Sequence, residues 1–198
     1  NRRLATVGGR KAVVDALSKA IKSRLVKYRK TIPDYTKKID GVSVSLVNTL
    51  SGKKEADFDW EGNRLLISVA LDQLDTKETL KTASSKLANV INHEMVHPLR
   101  DKGFISDKDW KLLTKFVKKR ATGLRQTLPD NTVIEKDKTY YEAAQIIYKD
   151  EYHDRSKADR ENLIVEEAIA DAFRDWTEGR GVTGKPASLF RRIVDFFI

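Results

Sequence analysis

Cysteine is missing from this chain altogether. Its absence removes disulfides and thiolate metal sites together, leaves histidine and carboxylates as the strong ligands, and fits a reducing compartment. Histidine is scarce as well, three in 198 residues, so the positions of those three carry information. No apolar run approaches the roughly 20 residues that cross a bilayer, so no membrane partner is expected. The basic start Asn1-Arg2-Arg3 is not followed by the apolar core of a secretory signal. Because residue 1 is not Met, the chain reads as a piece excised from a longer protein. No internal repeat or low-complexity segment is visible.

What is present is charge and periodicity. Charged residues make up 34% of the chain and apolar ones 40%; the apolar ones recur in periodic blocks, so the chain should fold. At this length one domain is expected. The formal net charge is +9, which favours acidic partners in association without specifying any chemistry.

Residues 1–34 are expected to form a basic amphipathic helix that packs on the core, with Val13, Leu17, Ala20, Ile21, Leu25 and Tyr28 at helical spacing and Pro33 ending it. Residues 35–198 would be the main domain. The alternation from Val42 to Val47 predicts a half-buried strand, Phe58 to Trp60 a short one, and Leu65 to Ala70 the strongest. Turns are expected at Ser51 to Lys54 and at Glu61 to Arg64. Asp75 with Glu78 marks a helix start, and Leu80, Ala83, Leu87, Val90 and Ile91 continue its buried face. Ser106 should cap a helix that carries Trp110, Leu113, Phe116 and Val117 inward. Leu128 to Asn131 is a loop by composition. Further helices are predicted from Tyr140 to Tyr152, from about Lys157 to Trp176, and over Leu189 to Phe197, with Gly179, Gly181 and Gly184 separating the last two. The sum is an α+β fold, predominantly α, with one small mixed sheet.

Two of the three histidines stand four apart in His93-Glu94-Met95-Val96-His97. On a helix that spacing projects both imidazoles from one face, where they can bind one Zn²⁺. Glu94 lies about 100° around the helix from His93, placed to take a proton from water rather than to coordinate. Pro98 follows directly; it removes the backbone bond to the Glu94 carbonyl, so the helix should end or kink there, with His97 in its last turn. A third ligand is needed. A metzincin would have Gly and His three and six residues past His97, where this chain has Arg100 and Gly103. The remaining common source is a Glu from a later helix. Glu167 and Asp171, at i and i+4 beside Leu163, Ile164 and Ala170, are like charges on a poorly solvated face. A zinc ion on Glu167 and an imidazole N–H from His93 on Asp171 would relieve both. Neutralisation by Arg160 and Arg174 is the competing reading, and Glu166 is the alternative ligand.

These motifs resemble the gluzincin pattern, H-E-x-x-H followed by E-x-x-x-D, of thermolysin-like zinc metallopeptidases. The phrases Asn92 to Asp101, Val165 to Phe173 and Leu189 to Phe197 resemble zincin-like domains embedded in the large polyvalent proteins of phages and other mobile elements. The separation of about 70 residues between the motifs is long for a gluzincin, and Pro98 is unusual after the second histidine. The resemblance implies one Zn²⁺ per chain on His93, His97 and Glu167, with Glu94 as general base and Asp171 orienting His93. It implies hydrolysis of peptide bonds, with a protein or peptide substrate paired as an extended strand along the free edge of Leu65 to Ala70; the parent polyprotein is one such substrate. Tyr152, His153, Tyr140 and Tyr141 are the candidate oxyanion donors. The implied location is cytoplasmic, or a host cytoplasm reached inside a virion. Lys111, Lys115, Lys118 and Lys119 line one side of a helix, by default as a solvated back face and alternatively as a weak nucleic-acid stripe. The competing functional readings are a catalytically silent zincin frame and a basic nucleic-acid-binding module.

Overall fold

A computed structural model of the chain describes residues 41–47, 56–61, 64–70, 89–90, 92–101, 103, 105–128 and 130–197. The helix expected over residues 1–34, the turn at Ser51 to Lys54 and the helix start at Asp75 lie outside the described residues. The chain divides into two compact units, Asn1–Glu94 with Arg191–Ile198, and Met95–Phe190. The architecture is α+β and predominantly α.

The first unit holds a three-stranded mixed sheet of β1 (Gly41–Val47), β2 (Ala56–Glu61) and β3 (Arg64–Ala70), in the order β1-β3-β2. β1 runs parallel to β3 and β2 antiparallel to it. The register explains why these segments pair: Val44 and Phe58 both align with Ile67, Val42 and Trp60 with Leu65, and Leu46 and Ala56 with Val69. With a period of two, the apolar positions of all three strands fall in common rows. Asp57 and Asp59, in the other rows, are exposed. One expectation is corrected here. β3 is the central strand and is hydrogen-bonded on both sides, so Leu65 to Ala70 has no free edge to offer a substrate. A strand rich in Leu, Ile and Val, with few polar positions, is the one whose composition suits the middle of a sheet.

The second unit is helical. It contains α1 (Val96–Asp101), α2 (Asp107–Val117), α3 (Tyr140–Ile147), α4 (Lys157–Thr177) and the first half of α5 (Gly184–Phe197). α1, α2 and α3 all pack on α4. α4 begins where Ser156 accepts a hydrogen bond from the Asp159 N–H, at 3.2 Å, with Asp159 in the favourable first turn. Its end is set by Gly179 at φ 79° and Gly181 at φ 53°, left-handed conformations that a β-carbon disfavours. Ile164, Val165, Ala168, Ile169, Ala172 and Phe173 are buried along it. Phe173 meets Phe190 of α5 edge-on, ring centroids 5.4 Å apart, and Trp176 closes the cluster 6.0 Å from each.

Three acids share that buried helix at i, i+4 and i+8: Glu167, Asp171 and Asp175. Like charges at this spacing tolerate burial only with partners. Asp175 accepts hydrogen bonds from the Tyr140 hydroxyl at 2.9 Å and from Arg180 at 2.5 Å. Burial, followed by the Asp175 charge, holds the Tyr140 phenol well above its usual pKa, so it stays a donor. Asp171 pairs with Arg174 at 2.9 Å.

Boundaries differ from expectation in three places. The loop expected at Leu128 to Asn131 joins two short strands that were not expected, β4 (Gln126–Thr127) and β5 (Val133–Ile134). Its turn is closed by Asn131 at φ 66° and by the Asp130 carboxylate accepting from the Thr132 N–H at 2.9 Å. α3 stops at Ile147 rather than Tyr152, because Tyr148 leaves helical geometry at φ −100°, ψ 15°. α5 starts at Gly184, five residues before the first apolar pair.

Candidate metal centre

The histidine segment is helical over residues 92–94, turns at Met95, and resumes as α1. The interruption lies three residues before Pro98, not at it, and α1 runs through the proline to Asp101. His97 therefore stands in the first turn of a helix instead of the last. The reason is local. A proline withholds its bond from the carbonyl four residues back and crowds it, so the break appears near Glu94. Pro98 then occupies the third position of a new helix, where its missing N–H would have had no intrahelical acceptor.

His93 and His97 are both buried, at 8% and 7% exposure. α4 presents two consecutive carboxylates to His97. Glu166 Oε1 lies 2.7 Å from Nδ1; because an ionised carboxylate only accepts, Nδ1 donates there, and in the neutral ring Nε2 is the nitrogen with the lone pair. Glu167 Oε2 lies 3.8 Å from that Nε2, too far for a hydrogen bond. The other Glu167 oxygen, Oε1, accepts from the Tyr152 hydroxyl at 2.7 Å. Burial, then the Glu167 charge, pushes the Tyr152 phenol far above its ordinary pKa, so it donates throughout the accessible pH range. Glu167 is thus held by one oxygen and turns the other toward His97 Nε2.

Ligand atoms of His93, His97 and Glu167, all buried, lie within 4.8 Å of one another. Two donors at roughly 2.0–2.1 Å from one tetrahedral ion sit about 3.4 Å apart. The 3.8 Å between His97 and Glu167 therefore needs to close by only a few tenths of an ångström. A cation between these donors would be held by both, as would a proton on Nε2. The donor set, two imidazoles and one carboxylate, is the chemistry that suits zinc.

Comparison with family models, with curated proteins and with solved structures finds no match.

The other expected site residues divide clearly. Glu94, next to His93, is half-buried. Asp171 is buried and neutralised by Arg174, half of the competing salt-bridge reading. Arg160, the other half, instead donates to the carbonyls of Tyr152 and His153, at 3.2 and 2.8 Å. Tyr152 reaches the centre, with its proton committed to Glu167. The Tyr140 hydroxyl is bonded to Asp175, eight residues and about 12 Å of helix rise beyond Glu167. Tyr141 donates to Glu161, and its phenol is pushed up to about 12 by burial and that bond. His153 is exposed, with Nδ1 2.7 Å from the Asp150 carbonyl.

Two residues acquire roles that the sequence did not give them. Glu166, weighed only as a substitute ligand, orients His97. Its signal was the Glu166-Glu167 doublet, since neighbours on a helix differ by about 100° and can address two edges of one ring. Tyr148 stacks on Tyr152 with ring centroids 6.3 Å apart. Burial, with the Asp171 and Glu167 charges, holds its phenol well above the usual value, so it adds a neutral aromatic wall beside the acids.

Proposed function

We propose that the chain is a zinc-dependent peptidase of gluzincin type, with a zincin-like fold, in which His93, His97 and Glu167 hold the metal and Glu94 is the general base. The observation that carries this reading is the buried convergence of those three donors, with Glu167 Oε2 3.8 Å from His97 Nε2. Zinc bound there would polarise a scissile carbonyl and lower the pKa of a water toward about 7.

The chain's own residues do the rest. Glu166 fixes the His97 tautomer and raises the basicity of Nε2. Tyr152 pins Glu167 so that one oxygen faces inward. Glu94, beside the first histidine, takes the proton from the attacking water and delivers it to the leaving amine. The substrate is a polypeptide.

The test uses unfolded polypeptide as substrate. Zinc-loaded wild-type protein should cut it, whereas Glu94→Gln should keep its zinc and lose activity by about 10²–10⁴-fold, the usual contribution of a positioned base. Equal cleavage by the two proteins would refute the role of Glu94; a zinc-loaded wild type that cuts nothing would refute the peptidase reading.

A further inference from the structure

A groove of about 390 Å³ in the Met95–Phe190 unit combines an apolar floor with uncompensated charge. Leu112, Phe116 and Pro186 form the floor, and Lys115, Lys119, Arg120 and Lys185 stand around it. All four cations are exposed, and among the described residues none makes an ion pair. Arg120 is held in place through a hydrogen bond to the Gly181 carbonyl at 2.8 Å. Lys118, by contrast, lies outside the groove, bonded to Glu161 at 2.5 Å and seated over the Tyr141 ring. The expected lysine stripe is thus split, and only part of it faces a concave surface. Among the described residues, no carboxylate and no neutral hydrogen-bonding side chain lines the groove.

That composition narrows the occupant. A neutral apolar group would leave four cations partly desolvated and unpaired, while a small anion would leave the floor wet. A single nucleic-acid strand would match the charge, but bases need successive stacking platforms along the strand. Here there is one aromatic ring, Phe116, already stacked on Tyr140 with centroids 6.2 Å apart. We propose that the groove docks an acidic peptide segment of a partner protein, with bulky apolar side chains on the Leu112–Phe116–Pro186 floor and flanking carboxylates against the rim lysines and Arg120. This surface needs neither a metal nor Glu94, so it stands apart from the peptidase reading.

The experiment titrates the full chain into a fluorescently labelled hexapeptide, Asp-Glu-Leu-Phe-Asp-Glu, with chelator present, and follows anisotropy. Saturable binding is expected. The double variant Lys115→Glu/Lys119→Glu, at two exposed positions, should weaken it by about tenfold. Replacing Leu and Phe of the peptide by Ser should weaken it at least as much. Absence of saturable binding would overturn the proposal, as would equal affinity for the Ser-substituted peptide, which would mean charge attraction alone. A labelled oligothymidylate that binds more tightly than the peptide, and is lost in the same double variant, would assign the groove to nucleic acid instead.

Discussion

Removing the carboxylate of Glu166 should loosen zinc without touching a ligand. The bond from His97 Nδ1 to Glu166 Oε1 is short, 2.7 Å, and links a buried imidazole to a part-buried acid. It does two things at once: it puts the hydrogen of the neutral ring on Nδ1, so that Nε2 is the ligand atom, and its negative charge makes Nε2 a better donor. Glu166→Gln keeps an acceptor for the N–H but loses the charge, and Glu166→Ala loses both. Partners of this kind contribute about 10–100-fold in metal affinity. The glutamine variant should fall near the lower end and the alanine variant near the upper, a range of about 1.4–2.7 kcal/mol. Competition against a fluorescent zinc chelator measures this directly, with thermal unfolding of the metal-free proteins as a control for the fold. If Glu166→Ala holds zinc as tightly as wild type, the ring is oriented by something else and the assignment of Nε2 as the ligand atom fails.

Other outcomes follow from the same coordinates. Tyr152→Phe removes the hydroxyl that donates to Glu167 at 2.7 Å; metal-free stability should fall by about 1–3 kcal/mol, the cost of a buried acceptor losing its donor, as read by urea denaturation. Phe190→Ala opens the cluster with Phe173 and Trp176 at a fully buried position and should cost about 3–5 kcal/mol by the same assay. Glu161 has its pKa lowered by hydrogen bonds from Lys118 and then Tyr141. A depressed folded-state pKa means that its stabilisation is present above the unfolded value near 4.5 and disappears as pH falls through the lower folded one. Glu161→Gln should therefore lose less stability than wild type on acidification from pH 5 downward; parallel acid-unfolding curves would contradict this. The Tyr141 phenol has the opposite sign: raised to about 12, its contribution holds below pH 10 and is lost as pH rises toward 12, and Tyr141→Phe should flatten the alkaline limb.

Much of the fold was legible because its signals are local. Ser156 with Asp159 marks the start of α4, and the glycines from Gly179 onward mark its end, each within a residue or two of the sequence reading. The alternation Val42-Ser43-Val44-Ser45 and the apolar Leu65 to Ala70 were enough to locate two strands. What was missed depends on pairing or on rotation. No property of Leu65 to Ala70 taken alone says that two other strands flank it, and so its edge was assigned to a substrate in error. Pro98 was seen, but its effect falls on the carbonyl four residues earlier, so the break at Met95 was placed late. At the site, the i, i+4 spacing of His93 and His97 and the buried acid at Glu167 were readable from helical geometry. The choice between Glu166 and Glu167 for each edge of the His97 ring depends on how α4 is rotated against α1, which no local pattern encodes. The hairpin at Gln126 and Ile134 was hidden by its length, two residues per strand, although Pro129-Asp130-Asn131 between β-branched residues is a turn signal.

The central claim is that two imidazoles and one carboxylate hold a single ion. Its most direct test is the zinc content of purified wild-type protein, His97→Ala and Glu167→Ala after dialysis against a weak chelator. One equivalent in the wild type and strong loss in both variants is the predicted result; a wild type that retains no zinc, or variants that retain as much as it does, would contradict it.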